Sequence, residues 1–170
     1  MPEPTAAEIA DRIEAGRVAL RDLRPALEAG APWPLSERFD DADEAVWGPP
    51  EVLAHLAEMV PYWTGEMERL LDGAARGAEL VPFGRLATDD LRTAVLGRDR
   101  SLPVAELLSR IDADADRLEQ RLRGLTEVDL GRRGLHPRRG EQSVRELVQR
   151  FVVDHLDEHL RQLRPLLSRA

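Results

Sequence analysis

The chain has 170 residues, enough for one domain of ordinary size, and with 42% hydrophobic and 33% charged residues it is neither disordered nor fibrous. Aromatics are only 4%, and the stock of Leu, Ala, Arg and Glu favours helices over a β-sandwich or barrel. A formal charge of -8 argues against a nucleic-acid partner, while the absence of Cys and Lys excludes disulfides, thiolate ligands, a cysteine nucleophile and Schiff-base chemistry.

The first helix is expected from Thr5, which with Glu8 forms a capping box. Ile9, Ile13, Gly16, Leu20, Leu23 and Leu27 recur at steps of three and four, and Gly30 ends the pattern. Residues 31–48 read as a loop rich in Pro, Gly and Asp that carries Trp33, Phe39 and Trp47. Pro49-Pro50 opens a second helix with the stripe Leu53, Leu56, Val60, Trp63, Met67 and Leu70. Periodicity then lapses over 73–102, apart from a short helix from Asp89 to Leu96.

A third helix is marked by Val104, Leu108, Ile111, Ala115, Leu118 and Leu122, between Pro103 and Gly124. The Arg-rich stretch 132–139 follows and reads as a solvated turn remote from any site. A fourth helix starts at Ser143, capped with Glu146, and its inward stripe runs Val144, Val148, Phe151, His155, His159, Gln162/Leu163 and Leu166. The expected fold is therefore all-α: one domain over 1–170, a four-helix bundle. The connection 73–102 far exceeds the roughly 2–8 residues usual between antiparallel helices, which favours up-down-down-up order with a long crossover between helices two and three. No run approaches the roughly 20 apolar residues of a membrane span. The acidic N-terminus has no apolar signal core, so a cytoplasmic protein with no membrane partner is expected.

Chemistry concentrates in the histidines, of which there are 4. His155 and His159 stack on one helix face and continue an apolar stripe, so each needs a buried partner. Either could be a satisfied core histidine, but a divalent metal is a partner that suits both. His55, near the start of helix two, falls at the same level if helices two and four run antiparallel. His136 is left as the histidine outside this set.

The segment Val46-Trp47-Gly48-Pro49-Pro50-Glu51-Val52-Leu53-Ala54-His55-Leu56 opens a pattern that runs nearly the whole chain. His136-Pro137 with Gly140, then Ser143-Val144-Arg145-Glu146-Leu147, then Asp154-His155-Leu156-Asp157-Glu158-His159-Leu160 continue it. In motif order and helix count the chain resembles the DinB/YfiT-like superfamily, bacterial helical bundles that include bacillithiol S-transferases and mycothiol-dependent maleylpyruvate isomerases. The resemblance implies a metal triad at His55, His155 and His159, with Zn or Ni the favoured ions. Glu58 stands where many members carry Asp, and with Asp154 it is expected to orient imidazole N–H groups.

With no Cys in the chain, thiol chemistry requires an external low-molecular-weight thiol. The expectation is a metal-dependent S-transferase or thiol-dependent isomerase acting on a small electrophile. Trp33, Trp47, Phe83, Arg85 and Arg92 are candidates to line its pocket; Trp47, Arg85 and Arg92 are favoured for the cosubstrate, the Arg for a carboxylate. The alternative is a non-catalytic metal-binding or structural module, and the Leu-rich surface permits a homodimer in either case.

Overall fold

A computed structural model describes residues 3–40, 44–86 and 89–168. Residues 41–43 of the expected loop and 87–88 of the crossover lie outside the described residues. The chain is mostly helical, as its composition predicts. Helix α1 (Ala6–Ala29) begins at Thr5, whose hydroxyl oxygen accepts from the Glu8 N–H at 3.2 Å while the Glu8 carboxylate accepts from the Thr5 N–H at 2.7 Å. Helix α2 (Pro49–Ala75) starts at the double proline, and the short α3 (Asp90–Asp99) is capped by Asp89. Helix α4 (Val104–Arg123) spans the third predicted stripe, and the single-turn α5 (Glu127–Leu130) follows it.

The fourth predicted helix is present with one departure. It comprises α6 (Val144–Val148), a π-helical stretch Gln149–Asp154, and α7 (His155–Leu167). Ser143 and Glu146 form the expected capping box. Helix α1 packs on α4 and α7, and α2 packs on α4, α3, α6 and α7, with the core between them. Polar contacts reinforce the α1–α4 seam: Arg17 bonds Asp112 at 3.1 Å and both Asp116 and Glu119 at 2.8 Å. Among the described residues, no helix is long and apolar enough to cross a membrane.

The mostly helical fold is broadly the all-α one expected, and it carries in addition a small three-stranded sheet that was not foreseen. Strand β1 (Val81–Pro82) lies parallel to β2 (Arg133–His136), which pairs antiparallel with β3 (Gly140–Ser143). The stretch 132–139, expected as a solvated turn far from the site, is thus largely a strand and a hairpin tip. Length along the fourth helix alone would put this stretch at the far end of the bundle. The hairpin doubles back beside that helix, so His136 stacks on Phe151 with ring centroids 5.2 Å apart.

Gly134 lets β1 and β2 approach. A Cβ there would lie 2.6 Å from the Val81 carbonyl oxygen and 2.8 Å from Phe83 Cδ1. Gly134→Ala should therefore force the pair apart and cost about 1–3 kcal/mol. For a chain of this size that is several degrees in Tm, read by thermal denaturation.

Candidate metal centre

Three elements converge on one point. Helix α2 brings in His55, 4% exposed, and α7 brings in His155 and His159, the latter 3% exposed. The third element is a single 3₁₀ turn, Glu44–Val46, which presents Glu44. His55 Nε2 lies 2.8 Å from His155 Nε2, and His155 Nε2 lies 3.3 Å from His159 Nε2. Glu44 Oε2 is 3.4 Å from both His155 Nε2 and His159 Nε2. One ligand atom from each of the four residues falls within 4.8 Å of every other.

These spacings suit a cation. Ligand atoms about 2.0–2.1 Å from a tetrahedral ion stand about 3.3 Å apart, close to the separations here. Three imidazole nitrogens facing one another cannot all be satisfied by mutual hydrogen bonds, because each pair needs one proton and one lone pair. Gln162 fixes the tautomer of His159. Its amide nitrogen donates to the carbonyls of Glu44 at 2.8 Å and Trp47 at 3.2 Å, so its oxygen is left to accept from His159 Nδ1 at 3.0 Å. The Nε2 lone pair of His159 then faces the cluster. Glu44, His55, His155 and His159 form a group that can hold a divalent metal.

Electrostatics prepare the same donor set. Burial, then the positive charges of His159, Arg92, His155 and Arg85, hold His55 well below the ordinary imidazole range. His155 is also lowered, by burial and then by His159, against the upward pull of Glu44 and Glu158. Burial pushes Glu44 up, but the His159 hydrogen bond and the charges of His155, His159 and Arg92 outweigh it and leave it lowered. At neutral pH the site thus offers neutral imidazoles at His55 and His155 and an ionised carboxylate at Glu44.

A pH dependence follows for the metal-free protein. Lowered histidines mean that the unfolded chain binds more protons below about pH 6.5, so stability is full above that pH and declines as pH falls. The lowered Glu44 adds a loss of the same sign further into acid. Denaturant midpoints of chelator-treated protein should drop between pH 7 and 5, by up to about 1.4 kcal/mol per pH unit for each such histidine. A flat profile would contradict the buried neutral imidazoles of His55 and His155.

The remaining sequence candidates divide. Trp47 is 2% exposed and packs behind the imidazoles, 5.3 Å from His55 and stacked 6.2 Å from His159, so it supports the cluster instead of offering a face to a cosubstrate. Arg85 and Arg92 do line a cavity of about 590 Å³ that also reaches Glu44, His55 and His155. Arg92 pairs with Glu44, and Arg85 pairs with Glu58 at 2.5 Å beneath the Tyr62 ring. Glu58, expected to orient an imidazole, is therefore committed to Arg85. Asp154 is bonded by Gln149 at 2.7 Å and by Arg12 at 3.4 Å, and makes no imidazole contact. Trp33 is remote, donating to the Leu27 carbonyl at 2.8 Å, and Phe83 is buried 5.4 Å from the His136 ring.

Glu44 was missed as a member of the site, and Gln162, read on the inward stripe with the histidines, was given no role there. Glu44 is one of several acids in an aperiodic loop, and only its position just before Val46-Trp47 distinguishes it. A family model for the DinB superfamily matches residues 10–163. The chain belongs to the DinB superfamily. No curated protein matches it. The family and the His–Glu cluster together fit a metal-dependent DinB protein.

Proposed function

We propose that this DinB protein is a metal-dependent enzyme that joins a low-molecular-weight thiol to a small electrophile, as an S-transferase or a thiol-dependent isomerase. One observation carries the reading: three imidazole nitrogens and a carboxylate converge at the edge of a cavity large enough for a small molecule. His55, His155 and His159 would hold the ion, with Glu44 as a fourth ligand shared with Arg92. A divalent ion in that position supplies Lewis acidity and lowers the pKa of a water or thiol bound to it. The chain has no Cys, so the thiol is a cosubstrate.

The protein's own residues set up the chemistry. Gln162 keeps His159 in the ligating tautomer, and Trp47 walls the imidazoles from solvent on one side. Arg92 pairs with the Glu44 carboxylate, which would therefore be shared between that guanidinium and the ion. The packing of α1, α2, α4 and the α6–α7 segment supports a four-helix bundle, which we infer runs up-down-down-up across the connection 76–103.

The test begins with metal content of protein purified without a polyhistidine tag, beside His155→Ala. Near-stoichiometric Zn or Ni, lost in the variant, is the expected result. Metal-loaded protein is then assayed for thiol conjugation with bacillithiol and mycothiol against a panel of electrophiles. Metal-dependent product formation supports the enzyme, whereas full metal occupancy with no turnover across the panel favours a binding module.

A further inference from the structure

The cavity beside the histidines also carries Arg138 and Arg139 from the β2–β3 turn and Arg150 from the π-helical stretch. Two of the five arginines that line this cavity are neutralised: Arg85 and Arg92 are taken by Glu58 and Glu44. Arg138, Arg139 and Arg150 are exposed and have no carboxylate within ion-pair reach among the described residues. Acids on the same cavity are engaged elsewhere, Asp154 with Arg12 and Gln149, and Glu158 3.4 Å from His155 Nδ1. Three guanidinium groups without a carboxylate partner among the described residues thus line one cavity of a chain whose net charge is -8. Charges of one sign on a cleft wall focus the field on its interior.

A second observation is independent of charge. His136 lines the same cavity and is 5% exposed. Its Nδ1 accepts from the Arg138 N–H at 3.2 Å, which leaves the neutral ring's proton on Nε2. That Nε2 is buried beside Gly84, where an added Cβ would lie 2.9 Å from it, and it has no hydrogen-bond partner, so it fixes no ligand itself. Phe151 stacks on Trp63 at 4.1 Å as well as on His136, so a flat aromatic wall adjoins the arginines.

We propose that this cavity binds a small organic molecule through an oxyanion group, a carboxylate or a phosphate, held by Arg138, Arg139 and Arg150 while its body lies along Phe151 toward the histidines. Planar guanidinium forks match both oxyanions in bidentate geometry. The proposal rests on the proposed function only in treating this cavity as the reaction chamber. Anion binding itself is measured without turnover.

The full-length protein, zinc-loaded and chelator-treated, is titrated with glutarate, methyl phosphate and neutral glutaramide, followed by calorimetry and tryptophan fluorescence at low and physiological salt. The triple variant Arg138→Gln, Arg139→Gln, Arg150→Gln is compared with Arg76→Gln, Arg164→Gln, which changes exposed arginines that do not line this cavity. At least one anionic probe should bind the natural chain, and the triple variant should weaken it at least tenfold in both metal states. The control variant should bind unchanged, and glutaramide should not compete. Whichever of glutarate and methyl phosphate binds more tightly identifies the oxyanion. Failure of both probes to bind, equal affinity in the triple variant, or an equal loss in the control variant overturns the proposal. A rim-dependent affinity in protein that never conjugates a thiol upholds anion binding and removes the transferase reading; conjugation that is indifferent to the rim does the reverse.

Discussion

His159→Ala should abolish stoichiometric metal binding, weakening affinity for Zn or Ni by at least about 100-fold. The residue contributes one of three converging imidazole nitrogens and is the one whose tautomer is set by a dedicated partner. Gln162→Leu should leave all the ligands in place but release that ring and free the Glu44 and Trp47 carbonyls from their shared donor. Partners of this kind typically account for 10–100-fold in affinity. Competition titration against a chelating dye measures both. The same ordering should appear in thermal stability, because an ion at about 100 times its Kd stabilises the fold by about 2.7 kcal/mol. That increment should be present in the natural chain, reduced in Gln162→Leu and absent in His159→Ala. An unchanged affinity in His159→Ala would remove the metal centre altogether.

Glu51→Leu should be among the most damaging single changes to the fold, at about 3–5 kcal/mol. Glu51 is 0% exposed, and its carboxylate accepts from the N–H groups of Ser36 at 2.8 Å and Gly48 at 3.2 Å. Arg100 reaches the same carboxylate at 3.2 Å and donates to the Ser36 carbonyl at 2.5 Å. Removing it leaves two backbone donors and a largely buried guanidinium without their acceptor. At about 2–4 °C per kcal/mol the loss in Tm should be roughly 10 °C. Adding Arg100→Leu should recover part of the loss, since it removes the stranded charge. The same carboxylate ties down the start and end of the segment that carries Glu44 and Trp47. Metal affinity should therefore fall with stability, which an alanine in the α4 core, such as Leu118→Ala, should not reproduce at equal destabilisation.

What was legible in the sequence had a period or a cap. Thr5, Ser143 and Pro49-Pro50 mark helix starts because their chemistry satisfies or lacks the free N–H groups of a first turn. His55, His155 and His159 stood out because they sit on or beside apolar stripes, and the structure brings all three together. Glu44 could not be found in this way: a loop carboxylate reaches the site through the path of the backbone, which no spacing encodes. The sheet was missed for a related reason. Its strands are two to four residues long and show no clean alternation, and β1 meets β2 only across a long sequence separation. Missing that hairpin also hid Arg138 and Arg139 from the cavity. Glu58 was suggested by its spacing from His55, whereas its carboxylate pairs with Arg85 at 2.5 Å, a contact that spacing does not encode.

The π-helical stretch has a consequence for how this chain tolerates change in length. Buried Val144, Val148, Val152, Leu156 and Leu160 follow one another at steps of four, and in a plain α-helix each step drifts by about 40°, or about 160° in all. A π turn accommodates one additional residue, which takes back about 100° of that drift and returns the line to the core. The segment Gln149–Asp154 therefore behaves as an absorbed insertion whose surplus lies at the cavity, where Arg150 and Phe151 form part of the wall. Losing one residue there would restore ordinary winding with the histidines still in phase, and the wall alone would be redrawn. Between two fixed ends of one helix, the chain thus has a place where the shape of the chamber can vary in length independently of its floor.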